Sequence, residues 1–189
     1  LAEAEVEYQD KTSYTIDVAY AVTDVAQLDK VSAAFGGLPG DGEISMLIWT
    51  TTPWTLPSSQ AISVGADVDY LLVQINGENG PQRLICSQLL LESVMQRLEI
   101  EDYQQLASCQ GQELENIIAR HPFYDRTIPV LLGEHVTTDA GTGCVHTAPD
   151  HGMEDFVVAK QYGIGTLNYI LDNGLFADDV QLFAGQHVY

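Results

Sequence analysis

Short runs of residues that are typical of β-strands recur along this 189-residue chain and limit the folds open to it. Alternating or continuous apolar residues between turn residues predict strands at residues 2–8, 14–22, 43–50, 61–64, 70–75, 82–86, 103–109, 128–132 and 143–147. Helices are predicted only at residues 25–35, 88–98 and 154–162, so they do not alternate regularly with strands. This order argues against a doubly wound α/β fold. It favours a mixed, mainly β fold, with a closed or nearly closed β-barrel core and peripheral α-helices.

The ends of two predicted helices carry local signals. The pair Gly36 and Gly37 follows residues 25–35 and ends that helix. Ser87 precedes the clearest helical pattern, at residues 88–98, and is expected to be its N-cap. We therefore expect both helices to begin and end close to these positions.

Length and composition indicate one domain covering residues 1–189. The hydrophobic content of 46% and charged content of 18% are typical of a soluble globular protein. No segment is long and apolar enough to cross a bilayer, so no membrane association is expected, and the acidic residues 1–11 do not resemble a signal peptide. The chain begins with Leu1 rather than Met, and we expect it to be a piece excised from a larger protein.

Three cysteines, Cys86, Cys109 and Cys144, are odd in number and far apart. They form no Cys-x-x-Cys pair, so neither a disulfide framework nor a structural zinc site is indicated. Reduced thiols and a cytoplasmic location are expected.

Two polar segments interrupt the strand pattern. The first is Trp-Thr-Thr-Thr-Pro-Trp-Thr-Leu-Pro at residues 49–57, directly after an apolar strand. The second is Gly-Thr-Gly-Cys-Val-His-Thr-Ala-Pro-Asp-His-Gly at residues 141–152, directly before a predicted helix. Three successive threonines place hydroxyls on both faces of a strand end, and a buried hydroxyl needs a partner. We expect the two segments to form opposite walls of one polar pocket.

These two segments resemble the editing domain of isoleucyl-tRNA synthetase, and the resemblance extends along the whole chain. Pro53, Trp54 and Thr55 favour the isoleucyl branch over the valyl and leucyl branches. The resemblance implies a domain inserted in the synthetase catalytic domain that hydrolyses mischarged Val-tRNA(Ile). The implied partners are the 3′ end of tRNA(Ile) carrying misattached Val and the remainder of the synthetase in cis. No cofactor is implied, and no ligase activity is expected, because the ATP-binding motifs of the catalytic domain are absent.

The resemblance also assigns roles to Asp155 and His146. In the family, the residue matching Asp155 holds the α-ammonium of the misattached amino acid, and a position in a first helical turn favours the ionised carboxylate. The residue matching His146 lies against the side-chain pocket and helps to exclude Ile. Without the resemblance, an ordinary helix N-terminal charge and a hydrogen-bonded core histidine are the alternatives.

The remaining site predictions come from the same two segments and the residues just after them. Thr50, Thr51 and Thr52 are predicted to be catalytic residues that, with backbone donors, position water and the ester carbonyl, and Asp155 is predicted to be a catalytic residue that anchors the ammonium. Substrate-binding roles are predicted for His146, Thr55, Ser59, Trp54, Gly141 and Gly143. Many relatives have Asn where this chain has Ser59, which retains a hydrogen-bonding group but has a shorter reach. Trp49 is expected to pack in the core.

No metal site is expected. His146 and His151 could form a ligand pair, but Pro149 breaks any helix between them, so they cannot match the facing histidines of a helical zinc motif. The histidines at 121, 135 and 187 have no motif around them and are expected to be structural or exposed.

The net charge of −20 restricts how the chain can contact nucleic acid. The chain has seven Lys and Arg against 27 Asp and Glu. Binding along a phosphate backbone normally requires a basic surface, so this composition argues against such binding. Contact with the 3′ end of a tRNA alone is compatible with this charge. Two alternatives remain open: a non-catalytic acidic module that binds an amine-bearing ligand or a protein, and a stand-alone aminoacyl-tRNA deacylase.

Overall fold

The computed structural model describes residues 14–189, so the strand predicted at residues 2–8 lies outside the described part. Its strands and helices follow in chain order: β1 (Ile16–Val22), α1 (Val25–Phe35), β2 (Glu43–Thr50), β3 (Ala61–Val64), β4 (Asp69–Gly77), β5 (Gly80–Ser87), α2 (Leu91–Arg97), β6 (Tyr103–Gln110), β7 (Ile118–Arg120), β8 (Thr127–Leu132), β9 (Cys144–Thr147) and α3 (Met153–Gln161). Short 3₁₀ helices occupy Pro53–Ser58, Gln88–Leu90 and Gly111–Leu114.

The strands form two mixed sheets. The larger sheet has the order β1-β2-β5-β4-β6, in which β2 and β5 are parallel and the other neighbours are antiparallel. The smaller sheet has the order β7-β8-β3-β9, in which β3 and β8 are parallel. The mainly β composition and the peripheral helices agree with the sequence-based prediction.

The predicted barrel is wrong, because neither sheet closes on itself within residues 14–189. The larger sheet is covered on both faces instead. Ile48 on one face of β2 belongs to a core that also contains Ile62 and Ile128 of the smaller sheet. Leu47 on the other face packs under Val94 of α2. A sheet that is covered on both faces buries its apolar residues without closing into a barrel. Alternation along the sequence does not show which strand edges pair, so it could not distinguish these arrangements.

Most predicted element bounds agree with the structure, and α1 and β2 match their predicted ranges. Ser87 occupies the N-cap position of the helical stretch that begins at Gln88, but the capping contact expected of it is absent. Its side chain makes no capping hydrogen bond, and a 3₁₀ turn, Gln88–Leu90, precedes α2. Strand β7 was not predicted, because its three residues, Ile118–Arg120, are too few to show an alternating pattern.

All three cysteines are buried free thiols. Burial raises the pKa of Cys86 to about 12 and that of Cys109 to about 12. Burial also raises the pKa of Cys144 well above its usual value. The thiols are therefore protonated and unreactive near neutral pH. Across residues 14–189, no helix has the length and apolar character needed to span a membrane.

Candidate active site

The threonine-rich segment forms a connected set of hydroxyls at the end of β2. Thr50 is buried, and its Oγ1 accepts a hydrogen bond from the backbone N–H of Thr52 at 3.1 Å. Pro53 then starts a 3₁₀ helix, where its missing N–H costs nothing. The Thr55 hydroxyl, inside that helix, donates to the Thr52 carbonyl at 2.8 Å. Because the chain turns into a 3₁₀ helix here, the successive hydroxyls do not alternate between two faces as they would in a strand.

His146 on β9 is joined to this set of hydroxyls. Its Nε2 lies 3.1 Å from Thr55 Oγ1. Since the single Thr55 hydroxyl hydrogen is donated to Thr52, Nε2–H is the donor in this contact. Nδ1 is then an acceptor, and it is buried without a hydrogen-bond partner in the described residues. Burial, with smaller effects from His151 and His121, lowers the pKa of His146 to about 4, so the imidazole is neutral near pH 7.

This low pKa predicts a loss of stability in acid. The His146 pKa is about 4 in the folded state, against an unfolded value near 6.5. The unfolded state therefore binds more protons between these pH values. The contribution of His146 to the free energy of unfolding is full above about pH 6.5 and is lost as the pH drops towards 4. His146→Gln cannot titrate, so we expect its unfolding free energy to fall by about 2–3 kcal/mol less than that of the wild type between pH 7 and pH 4.5. Urea denaturation at both pH values measures the difference. Parallel losses in the two proteins would contradict the buried neutral state.

Gly141 and Gly143 shape the opposite wall of the site. Their φ angles are 84° and 78°, in the left-handed region that side chains disfavour. A Cβ on Gly143 would also lie 2.5 Å from the Cβ of Ser87, and one on Gly141 would lie 3.2 Å from Cε3 of Trp49. The Tyr70 hydroxyl donates to the Gly143 carbonyl and fixes the loop from below. Glycine is therefore required at both positions for this backbone path.

Asp155 lies in the first turn of α3, as predicted. Its Oδ2 accepts a hydrogen bond from the backbone N–H of Ala148 at 2.9 Å. Its Oδ1 lies 3.8 Å from His135 Nε2, and the Asp155 side chain is 18% exposed. Burial raises the pKa of Asp155, whereas the Ala148 hydrogen bond and His135 lower it. Oδ2 is thus fixed by a backbone hydrogen bond, whereas Oδ1 accepts no hydrogen bond within residues 14–189.

His135 was missed by the sequence reasoning and lies in the site. It occupies a turn after β8 that is closed by a hydrogen bond from the Val136 N–H to the Gly133 carbonyl at 3.2 Å. Its Nε2 is buried without a hydrogen-bond partner in the described residues. The available signal was weak, namely a polar residue shortly after the predicted strand at residues 128–132.

One cleft of about 370 Å³ brings the two segments together. Its lining includes most of the predicted site residues and His135: Thr50, Thr51, Thr52, His135, Gly141, Gly143, His146 and Asp155. The size lies within the usual range for small-molecule sites. Trp49, which was expected only to pack, also lines this cleft, and its ring packs against Arg97, with the guanidinium carbon 5.8 Å from the ring centroid.

Three predicted binding residues do not line the cleft. Thr55 supports His146 from behind. Ser59 is fully buried, and its hydroxyl accepts a hydrogen bond from Tyr20 at 3.1 Å. Trp54 is half-buried and packs edge-to-face against His151, with ring centroids 5.6 Å apart. Any effect of Ser59 or Trp54 on a bound molecule is therefore indirect in this arrangement.

The chemical character of the cleft is that of a polar binding site lined by two acidic residues, the partly buried Asp155 and the exposed Glu154. It contains a partly buried carboxylate, a neutral imidazole and several hydroxyls. Cys144 also lines it, but its raised pKa keeps the thiol protonated and removes it as a nucleophile. His151 turns its Nε2 to Ser58 Oγ at 3.2 Å and forms no pair with His146. Such a cleft can bind a cationic amine beside a carbonyl group and can position water.

Comparison with known proteins gives a consistent result. The family model of the leucyl-tRNA synthetase editing domain matches residues 38–181. Isoleucine–tRNA ligases from Teredinibacter turnerae and Saccharophagus degradans are 58% and 56% identical over all 189 residues. The chain spans 20% of the length of these curated relatives.

Solved structures show a similar fold. The crystal structure of GlLeuRS-CP1 has a TM-score of 0.65 at 18% identity, and the match covers 80% of this chain and 65% of that one. The editing domain of the P. knowlesi cytosolic leucyl-tRNA synthetase has a TM-score of 0.63 at 12% identity, and the match covers 84% of this chain and 68% of that one. At these identities the match describes the fold alone.

Proposed function

Because the chain belongs to the family of aminoacyl-tRNA synthetase editing domains, we propose that it hydrolyses the ester that links a wrong amino acid to tRNA. The family inferred from residues 49–57 and 141–152 is confirmed by the family model and the isoleucine–tRNA ligase relatives. The observation that carries the proposed reaction is the single cleft shared by Asp155, His146 and the three threonines.

The proposed substrate is Val-tRNA(Ile). The sequence relatives are isoleucine–tRNA ligases. Valine is smaller than isoleucine by one methylene. A hydrophobic pocket discriminates one methylene by only about 1–3 kcal/mol, a limit for which isoleucyl-tRNA synthetases are themselves the standard example. A second site that admits Val and excludes Ile supplies the missing discrimination.

Asp155 anchors the substrate in this proposal. Its Oδ1 makes no hydrogen bond within residues 14–189 and can accept one from the α-ammonium of valine, while Oδ2 remains bound to the Ala148 N–H. The raised pKa means that the carboxylate ionises at a higher pH than an ordinary Asp. Binding a cation favours the ionised form.

The hydroxyls of Thr50, Thr51 and Thr52 position the ester carbonyl and the attacking water. Water adds to the carbonyl carbon, the bond from that carbon to the ribose oxygen breaks, and the ribose oxygen takes up a proton. The products are free valine and tRNA with its terminal ribose hydroxyl restored. The neighbouring free hydroxyl of the terminal ribose can assist the proton transfer. Positioning and oriented dipoles, rather than a covalent intermediate, supply the rate enhancement.

His146 forms the boundary of the side-chain pocket. The ring is fixed by Thr55 and is neutral near pH 7, so it presents a rigid, uncharged edge to an aliphatic side chain. Gly141 and Gly143 contribute by allowing the loop backbone to pass close to Trp49 and Ser87, where a Cβ would be too near these residues. In this proposal, Thr55, Ser59 and Trp54 act by holding the cleft residues in place.

The proposed nucleic-acid partner is the 3′ end of tRNA(Ile), and the body of the tRNA is held by the remainder of the synthetase in cis. The net charge of −20 supports this division, because few phosphates can be neutralised by seven basic residues. In this proposal, residues 1–189 are one editing domain of a larger cytoplasmic synthetase, consistent with the alignment of the whole chain to a fifth of each relative.

Release of valine from Val-tRNA(Ile) tests the proposal. We expect the full-length synthetase to deacylate Val-tRNA(Ile) at least about tenfold faster than Ile-tRNA(Ile), consistent with one methylene of discrimination. The assay follows loss of labelled amino acid from purified charged tRNA. A non-catalytic binding module would leave both esters at the uncatalysed rate. A stand-alone deacylase would give the same rate when residues 1–189 are assayed without the remainder of the synthetase.

A further inference from the structure

His135 and Asp155 present two acceptor atoms to the same cleft. Asp155 Oδ1 and His135 Nε2 are 3.8 Å apart, which is too far for a hydrogen bond between them. Each lacks a hydrogen-bond partner within residues 14–189, and His135 Nε2 is buried. Buried polar atoms are normally hydrogen-bonded, so the unpaired Nε2 of a residue that lines the cleft indicates a missing partner.

The ring of His135 is held in this position by the local backbone. The turn that contains it is closed by the Val136 N–H and the Gly133 carbonyl. A Cβ on Gly133 would lie 2.7 Å from His135 Cε1, so the ring packs directly on the Gly133 backbone. The side chain is only 12% exposed. The unpaired nitrogen is therefore a defined feature of the cleft.

We propose that His135 Nε2 is the second acceptor, beside Asp155 Oδ1, for the α-ammonium of the misattached amino acid. This inference rests on the proposed function. An ammonium group has three N–H donors and no acceptor, so one carboxylate oxygen cannot satisfy it. Two acceptors 3.8 Å apart can both lie within hydrogen-bonding distance of one nitrogen. The neutral tautomer with its proton on Nδ1 leaves Nε2 free to accept.

Together, the two acceptors would also allow the cleft to distinguish an acyl group that carries an α-ammonium from one that does not. Asp155 supplies charge, and His135 supplies direction, because an imidazole nitrogen accepts in the plane of its ring. Glu154 lines the same cleft and is the competing candidate for the second contact. Its side chain is exposed, so it is less constrained than His135.

A substrate without the ammonium separates binding from a structural role. The full-length synthetase is assayed with Val-tRNA(Ile) and with the same tRNA carrying the α-hydroxy analogue of valine. We expect His135→Phe to lower kcat/KM for Val-tRNA(Ile) by about 10- to 100-fold, in line with the loss of a hydrogen bond to a charged group. For the hydroxy analogue, we expect the same variant to stay within about threefold of the wild type, because a neutral hydroxyl has no charge to satisfy.

Control variants decide the remaining outcomes. His187→Phe changes an exposed histidine that does not line the cleft, and it should match the wild type on both substrates. Equal losses on both substrates in His135→Phe would overturn the proposal and indicate a structural role. A selective loss in Glu154→Gln, with none in His135→Phe, would assign the second contact to Glu154 and would also overturn it. Absence of Val-tRNA(Ile) hydrolysis by the wild type would instead contradict the proposed function.

Discussion

Asp155→Asn should abolish deacylation of Val-tRNA(Ile) while the protein stays folded. The Asn side-chain oxygen can still accept the hydrogen bond from the Ala148 N–H, so the contact that fixes the start of α3 is retained. The amide then directs a donor towards the ammonium instead of an anionic acceptor. Leaving a partly buried cation without its counter-charge costs roughly 3–5 kcal/mol, or about a hundred- to several-thousand-fold in rate. Single-turnover deacylation and the melting temperature are the two measurements.

Two further variants test whether the loss of deacylation arises specifically from the Asp155 carboxylate. Asp150→Asn removes an exposed charge just before α3 and should leave the rate near that of the wild type. Asp155→Ala should lose activity and also stability, by about 1–3 kcal/mol, because the Ala148 N–H loses its partner. Near-normal deacylation by a folded Asp155→Asn protein would remove Asp155 from the proposed anchor role.

His146→Ala should allow the synthetase to hydrolyse its correct product, Ile-tRNA(Ile). The imidazole lines the cleft and is only 8% exposed, so its removal opens buried space next to the aliphatic side chain. Overpacking by one methylene costs about 1–3 kcal/mol, and relieving it should raise the Ile rate by about 10- to 100-fold. Deacylation rates of Ile-tRNA(Ile) and Val-tRNA(Ile) by the same preparation give the ratio.

Thr55→Val is the matched control for His146→Ala. It removes the same hydrogen bond between Thr55 Oγ1 and His146 Nε2 but leaves the ring in the cleft. Both variants should lower the melting temperature, and only His146→Ala should change the ratio of Val to Ile hydrolysis. An unchanged ratio in His146→Ala would assign size exclusion to the threonines of the facing wall.

The sequence predicted most of the residues that line the candidate cleft, because these residues are concentrated in or next to two continuous motifs. His146, Gly141, Gly143 and residues 50–52 lie in those motifs, and Asp155 lies three residues after the second one. All of them line one cleft. Ser59 and Trp54 lie in or next to the first motif, but the 3₁₀ helix at Pro53–Ser58 turns them away from the cleft. Neighbours in sequence share a site only if the local backbone directs them to the same side.

His135 shows the opposite case. It lies outside both motifs and reaches Asp155 only because the turn after β8 lies beside the start of α3. No local pattern encodes a contact across 20 residues of chain (155 − 135 = 20). Its proximity depends on how the smaller sheet and α3 pack together.

By itself, the sequence determined the family, the mainly β composition, the bounds of α1 and β2, and the residues of the two motifs. Those features depend on local period, turn chemistry and residue type, which are present in any short segment. The tertiary structure alone decided that the two sheets stay open within residues 14–189, that Asp155 and His146 are largely buried, and that His135 lies beside Asp155. Strand pairing, burial and the resulting pKa shifts arise from contacts between residues distant in the chain, and so they become defined only when the two sheets and α3 are packed.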